Sequence, residues 1–135
     1  MRKSRAAVVG STIVALVLTT ASPSYANWSS FLDQVMNGFE SRRWDDGDYS
    51  EVIFIGCDQG DATAVDVELW EDISLGYDSN KGSNHLTGCF KSSTSLSHGE
   101  WYGLPGNDYY FRIKTVWGSN EMSARSVGVD TTAAD

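Results

Sequence analysis

The chain has 135 residues, a net charge of −8 at neutral pH and 41% hydrophobic residues. That length suits one domain with one core, and the strong acidity argues against nucleic acid or an anionic membrane as partner.

Arg2, Lys3 and Arg5 open the chain without an acid among them. An apolar stretch, Ala6 to Leu18, comes next, and small and polar residues lead to Ser24-Tyr25-Ala26. Basic, then apolar, then small-x-small is the order of a cleavable secretory signal, so residues 1–26 are expected to be removed on export. The apolar run is shorter than the roughly 18 to 20 residues that cross a bilayer. The remaining body would carry −11, three units below the −8 of the whole chain, because three basic residues leave with the signal. A secreted, extracellular protein without membrane contact after cleavage is the expectation.

Residues 27–48 form a lead-in. Trp28, Phe31, Leu32, Val35, Met36 and Phe39 are spaced as on one face of a helix, with Ser29 or Ser30 as a possible N-cap. Gly38 interrupts the pattern, Ser41-Arg42-Arg43-Trp44 follows, and Asp45-Asp46-Gly47-Asp48 has the composition of a turn. Strands dominate residues 49–130. Glu51 to Ile55 is a short β-rich run ending at Gly56-Cys57. Val65 to Leu69 alternates apolar with acidic residues, as a strand with one buried face does. Leu75 to Asp78 is a further short candidate, and Asp78 to Asn84 has the composition of a polar loop. His85 to Lys91 carries Cys89, and Thr94 to Ser97 and Gly99 to Gly103 are weaker strands. Tyr109 to Lys114 alternates again. A turn at Gly118-Ser119-Asn120 leads to a last strand near Ser123 to Val129, and residues 131–135 form a polar tail expected to be disordered. About seven short strands predict an all-β, antiparallel, immunoglobulin-like sandwich. Cys57 and Cys89 are the only cysteines, and in an oxidising exterior they pair. The loop of about 33 residues that they close is worth ~3 to 4 kcal/mol of chain entropy.

Chemistry is harder to find. No Gly-x-Ser-x-Gly elbow occurs, and neither His85 nor His98 stands in a catalytic motif. Most acids fall in turns or on the outer face of a strand, and the Asp45 to Asp48 cluster lacks the later glutamate of an EF-hand loop. No catalytic residue, metal or cofactor is assigned. The aromatic and basic lead-in reads instead as a docking segment. Trp28, Phe31, Phe39, Arg42, Arg43 and Trp44 are the partner-binding candidates, because aromatics and Arg dominate interface energies and a basic arm on an acidic body suits an acidic cleft. The same residues could instead cover one end of the domain or pair as an edge strand. A small hydrolase inhibitor presenting Asp78 to Asn84 or Leu104 to Asp108 is one alternative. A carbohydrate- or wall-binding module using Trp70, Trp101, Tyr102 and Trp117 is another.

Two resemblances add to this. Leu104-Pro105-Gly106-Asn107-Asp108-Tyr109, running into Tyr110 to Lys114, resembles the turn and penultimate strand of fibronectin type III and immunoglobulin-like domains. It implies that the Tyr109 hydroxyl bonds back to the corner backbone. Trp28-Ser29-Ser30-Phe31, Gly38-Phe39-Glu40-Ser41-Arg42-Arg43-Trp44 and the paired Gly56-Cys57 and Gly88-Cys89 resemble the small spoke subunit of the umbrella toxin particles secreted by Streptomyces and relatives. That resemblance implies a non-catalytic adaptor between a lectin-like subunit and a large toxin chain, with the N-terminal segment, Trp28 to Trp44, inserting into a cleft of the lectin-like subunit.

Overall fold

The computed structural model describes residues 28–58 and 60–132. The expected signal segment, residue 27 and the last three residues of the expected tail lie outside the described residues. The fold is all-β and antiparallel: β1 (Trp28–Met36), β2 (Trp44–Asp58), β3 (Ala64–Asp72), β4 (Ser79–Leu86), β5 (Leu96–Trp117) and β6 (Glu121–Asp130). They form one six-stranded sheet in the order β1-β6-β2-β5-β3-β4.

The sheet turns on β5, which is 22 residues long. Its first half pairs with β2, from Trp44 opposite Tyr109 to Ile55 opposite Leu96, and its second half pairs with β3, from Asp72 opposite Asp108 to Ala64 opposite Trp117. The sheet therefore curls, and β4 comes back against the first half of β5. There, Trp101 Nε1 donates to the Gly82 carbonyl at 3.0 Å and Asn84 Nδ2 to the Glu100 carbonyl at 3.3 Å. Val52, Phe54, Val127 and Val129 from one side meet Val65, Val67, Leu69, Phe111 and Ile113 from the other in one core.

Four sequence expectations need correction. The lead-in is a strand, not a helix: β1 pairs with β6 from Trp28 opposite Val129 to Met36 opposite Glu121. Its period is broken by bulges, with Gln34 at φ 53. Leu32 and Val35, which regular pleating would put on opposite faces, are both buried. Asp45 to Asp48 is not a turn but part of β2, bulged at Asp48 with φ 85. Asp78 to Asn84 is not a loop: from Ser79 it belongs to the polar edge strand β4, in which Leu86 is the buried residue. Finally, six strands among the described residues stand where about seven were expected, because the weak candidates around residues 94–103 and the Tyr109 to Lys114 run are largely one strand and Leu75 to Asp78 is the turn between β3 and β4. The Leu104-Pro105-Gly106 turn becomes a bulge inside it, where the β2 partner steps from Asp48 to Asp46. Proline is tolerated at a bulge because no ladder hydrogen bond is asked of it.

Two expected features are present. Tyr109 is buried and its hydroxyl donates to the Pro105 carbonyl, as the corner resemblance implies. Cys57 and Cys89 form a disulfide across a Cα–Cα distance of 5.0 Å, fastening the end of β2 to a single 3-10 turn over Gly88–Phe90. The approach to Cys57 admits only glycine. Gly56 has φ +64, and a Cβ there would stand 2.5 Å from the Ser93 carbonyl.

Burial pushes the Tyr109 hydroxyl up to about 12, with Glu71 and Asp46 adding to the effect, and burial likewise raises Tyr110 and Tyr49. A raised folded-state value means that the fold favours the neutral phenol. That contribution is fully present below the ordinary tyrosine value near ~10 and is lost as pH rises through about 12. Urea midpoints should therefore be flat with respect to these groups up to about pH 10 and fall above it, and Tyr109→Phe should show a shallower fall.

Candidate protein-docking surface

Four of the six candidate partner-binding residues meet at one place. Trp28 and Phe31 from β1, and Phe39 and Arg42 from the connection to β2, line a cleft of about 210 Å³, with Phe111 and Val127 at its base. Backbone pairing sets this up. Gly38 N–H donates to the Ile113 carbonyl at 2.7 Å, Ile113 N–H to the Phe39 carbonyl at 2.9 Å and Ser41 N–H to the Phe111 carbonyl at 2.9 Å. The Ser41 hydroxyl in turn accepts from Phe111 N–H at 3.0 Å. The connection is thus laid along the second half of β5 on the side away from β3, and it delivers its aromatics to Phe111.

The aromatic wall is continuous. Trp28 lies 6.3 Å from Phe111 in a stacked arrangement and 6.0 Å from Trp44, and Phe39 lies 6.4 Å from Phe111. The Arg42 guanidinium sits 4.7 Å from the centre of the Trp28 ring, a cation–π contact. Arg42 is exposed and makes no ion pair among the described residues. Phe31 is 65% exposed, a large apolar side chain presented to solvent at the cleft mouth. Trp28 Nε1 is buried and lacks an acceptor among the described residues.

Arg43 and Trp44 belong elsewhere. In an extended segment neighbouring side chains point to opposite sides, so Arg43 leaves the cleft. It bonds Asp72 at 2.9 Å, lies 3.4 Å from Glu40, and stacks 3.8 Å above the Tyr110 ring. Trp44 is a core residue whose Nε1 donates to the Ser50 hydroxyl at 3.1 Å.

Some contributors were not visible in the sequence. Phe111 and Val127 reach the cleft only through strand register, which local spacing does not encode. A second exposed apolar feature is the β3–β4 hairpin tip, where Leu75 is 95% and Tyr77 98% exposed. Asp78 anchors that tip by accepting from Ile73 N–H at 3.0 Å and from the Tyr110 hydroxyl at 2.7 Å. Of the aromatics considered for carbohydrate binding, Trp101 is buried, Trp70 half-buried, and Tyr102 and Trp117 exposed on different halves of β5. Each histidine faces a carboxylate: His85 Nδ1 is 2.5 Å from Asp66 Oδ1 and His98 Nδ1 is 2.6 Å from Glu51 Oε2. Asp46, in the acidic run considered for calcium, has one oxygen on Gly47 N–H and the other on the Ser50 hydroxyl.

Comparison with protein-family models gives no match, and neither does comparison with curated protein sequences.

The cleft separates two kinds of lead-in residue by experiment. Leu32→Ala should cost about 2 to 4 kcal/mol, as a buried truncation does. Phe31→Ala should stay within about 0.5 kcal/mol, as an exposed one does. Equilibrium urea unfolding of the two variants checks this, and equal losses would contradict the placement of the two side chains.

Proposed function

We propose that this is a secreted, non-catalytic adaptor that joins other extracellular proteins, and that the Trp28–Phe31–Phe39–Arg42 cleft is one of its contact surfaces. The observation that carries the reading is the convergence of these four side chains on one open cleft. Aromatic walls supply area at small entropic cost, and an Arg at the rim without an ion pair among the described residues supplies charge selectivity. The complementary partner inserts an apolar side chain between Trp28 and Phe39 and sets a carboxylate against Arg42. On this reading the chain is the receiving side of the contact, in place of the inserting segment that the toxin-particle resemblance implies. Within the toxin-particle resemblance, that partner is the lectin-like subunit, and a larger toxin chain is held by another face. The disulfide supports an oxidising exterior as the working compartment.

A second reading rests on the hairpin tip. An anchored turn that exposes Leu75 and Tyr77 is suited to entering the active site of a hydrolase, so a secreted inhibitor is the alternative. The tip displaces Asp78 to Asn84 and Leu104 to Asp108 as the inhibitory loop, since both lie largely within strands.

Gel filtration of undisturbed culture supernatant separates the readings. The adaptor should elute in an assembly far larger than the 14.8 kDa of the whole chain. Phe31→Ala combined with Arg42→Glu should release it as a folded monomer. A wild-type monomer that blocks a protease or amylase would replace the adaptor with the inhibitor, and retention on chitin or peptidoglycan would favour a wall-binding module.

A further inference from the structure

The outer face of β6, β2 and β5 carries an unusual row. Strand register puts Glu51 beside Asp130 on one side and beside Glu100 on the other, so three carboxylates lie across three adjacent strands. Like charges directly opposite one another destabilise a sheet. Among the described residues, no lysine or arginine forms an ion pair with any of the three. The neighbouring row places His98 opposite Ile53 on the same face, and its Nδ1 reaches back to Glu51 Oε2 at 2.6 Å. The ligand-type atoms of Glu51, His98 and Glu100 all lie within 4.8 Å of one another.

We propose that Glu51, His98 and Glu100 bind a divalent transition-metal ion of the zinc class on this outer face. The imidazole nitrogen separates the set from a plain acidic surface. Oxygen-only sites suit magnesium and calcium, whereas imidazole suits zinc, copper, nickel and iron. Tetrahedral ligands at about 2.0 to 2.1 Å from zinc stand ~3.3 Å from each other. The spacing here brackets that value, from 2.6 Å for His98 to Glu51 up to the 4.8 Å limit of the group. Rotamer-scale movement on a paired sheet closes the site. The ligands come from two adjacent strands, so the ion would cross-link β2 and β5 and relieve the carboxylate row.

A supporting residue is in place. The Tyr49 hydroxyl donates to Glu100 Oε2 at 2.7 Å, and Tyr49 is itself buried against Tyr102 at 5.3 Å. Such outer contacts orient a ligating carboxylate. Three protein ligands leave a fourth position for water or for a donor from another molecule. No sequence motif betrays the site, because Glu51 and His98 are 47 positions apart.

The test is calorimetric titration of the folded, disulfide-bonded protein with ZnCl2 at neutral pH, with MgCl2 and CaCl2 run in parallel. The expected result is saturable binding of one zinc per chain, a raised melting temperature, and much weaker binding of magnesium and calcium. His98→Gln and Glu100→Gln should each weaken zinc by at least ~10-fold, and Tyr49→Phe by about 10-fold. His85→Gln, at the other histidine–carboxylate pair, should leave it unchanged. Because a variant could fail to fold, cobalt absorption on the wild-type chain gives an independent reading: d–d bands of a tetrahedral site that zinc abolishes. The proposal is overturned by no saturable zinc binding, by equal affinity for magnesium or calcium, or by loss in His85→Gln without loss in His98→Gln.

Discussion

The structure depends on one constraint: β5 is shared. Its first half completes a ladder with β2 and its second half a ladder with β3, so neither half of the core can form without the same strand. Tyr109 stands where the two ladders overlap, opposite both Trp44 and Glu71. Its hydroxyl, returned to Pro105, spans the bulge that lies in the β2 ladder just before the strand changes partner. Burying a tyrosine there is favourable only because the phenol has an acceptor, since an unpaired buried hydroxyl would cost about 1 to 3 kcal/mol. The disulfide adds a second tie, joining the far end of β2 to the turn that leads into β5.

The aromatic cleft is a consequence of that arrangement. With the second half of β5 paired to β3 on one side, its other side is left to Gly38 to Ser41, which occupy it by backbone hydrogen bonds. Phe111 then becomes the floor on which Trp28 and Phe39 settle. The two arginines separate by simple alternation: Arg42 stays at the cleft rim, while Arg43 stacks on Tyr110 and bonds Asp72. A cleft built this way is preformed, so a partner of the proposed kind would not have to supply the ordering energy of a loose arm.

Legibility in the sequence followed regularity. Val65 to Leu69 and Tyr109 to Lys114 alternate cleanly and were recognisable as strands, and the cysteine pair and the corner tyrosine were recognisable from their chemistry. β1 was not, for a physical reason. A bulge adds a residue to the period of two, so the core positions Leu32 and Val35 fall three apart, which is also a helical spacing. β4 was hidden by polarity, because an edge strand needs backbone partners more than buried side chains. The cleft was half legible. Its lead-in residues stood out by composition, while Phe111 and Val127 depend on register across the sheet. The Glu51, His98 and Glu100 cluster was illegible because only register brings Glu51 to the two β5 residues.

The lead-in is a built strand that supports a preformed cleft. Amide hydrogen exchange measured by segment on the isolated folded protein tests it most directly. Trp28–Met36 should be protected to a degree comparable with its neighbour β6. Full exchange of that segment at the unprotected rate, with β2, β5 and β6 still protected, would show a free arm and contradict the account.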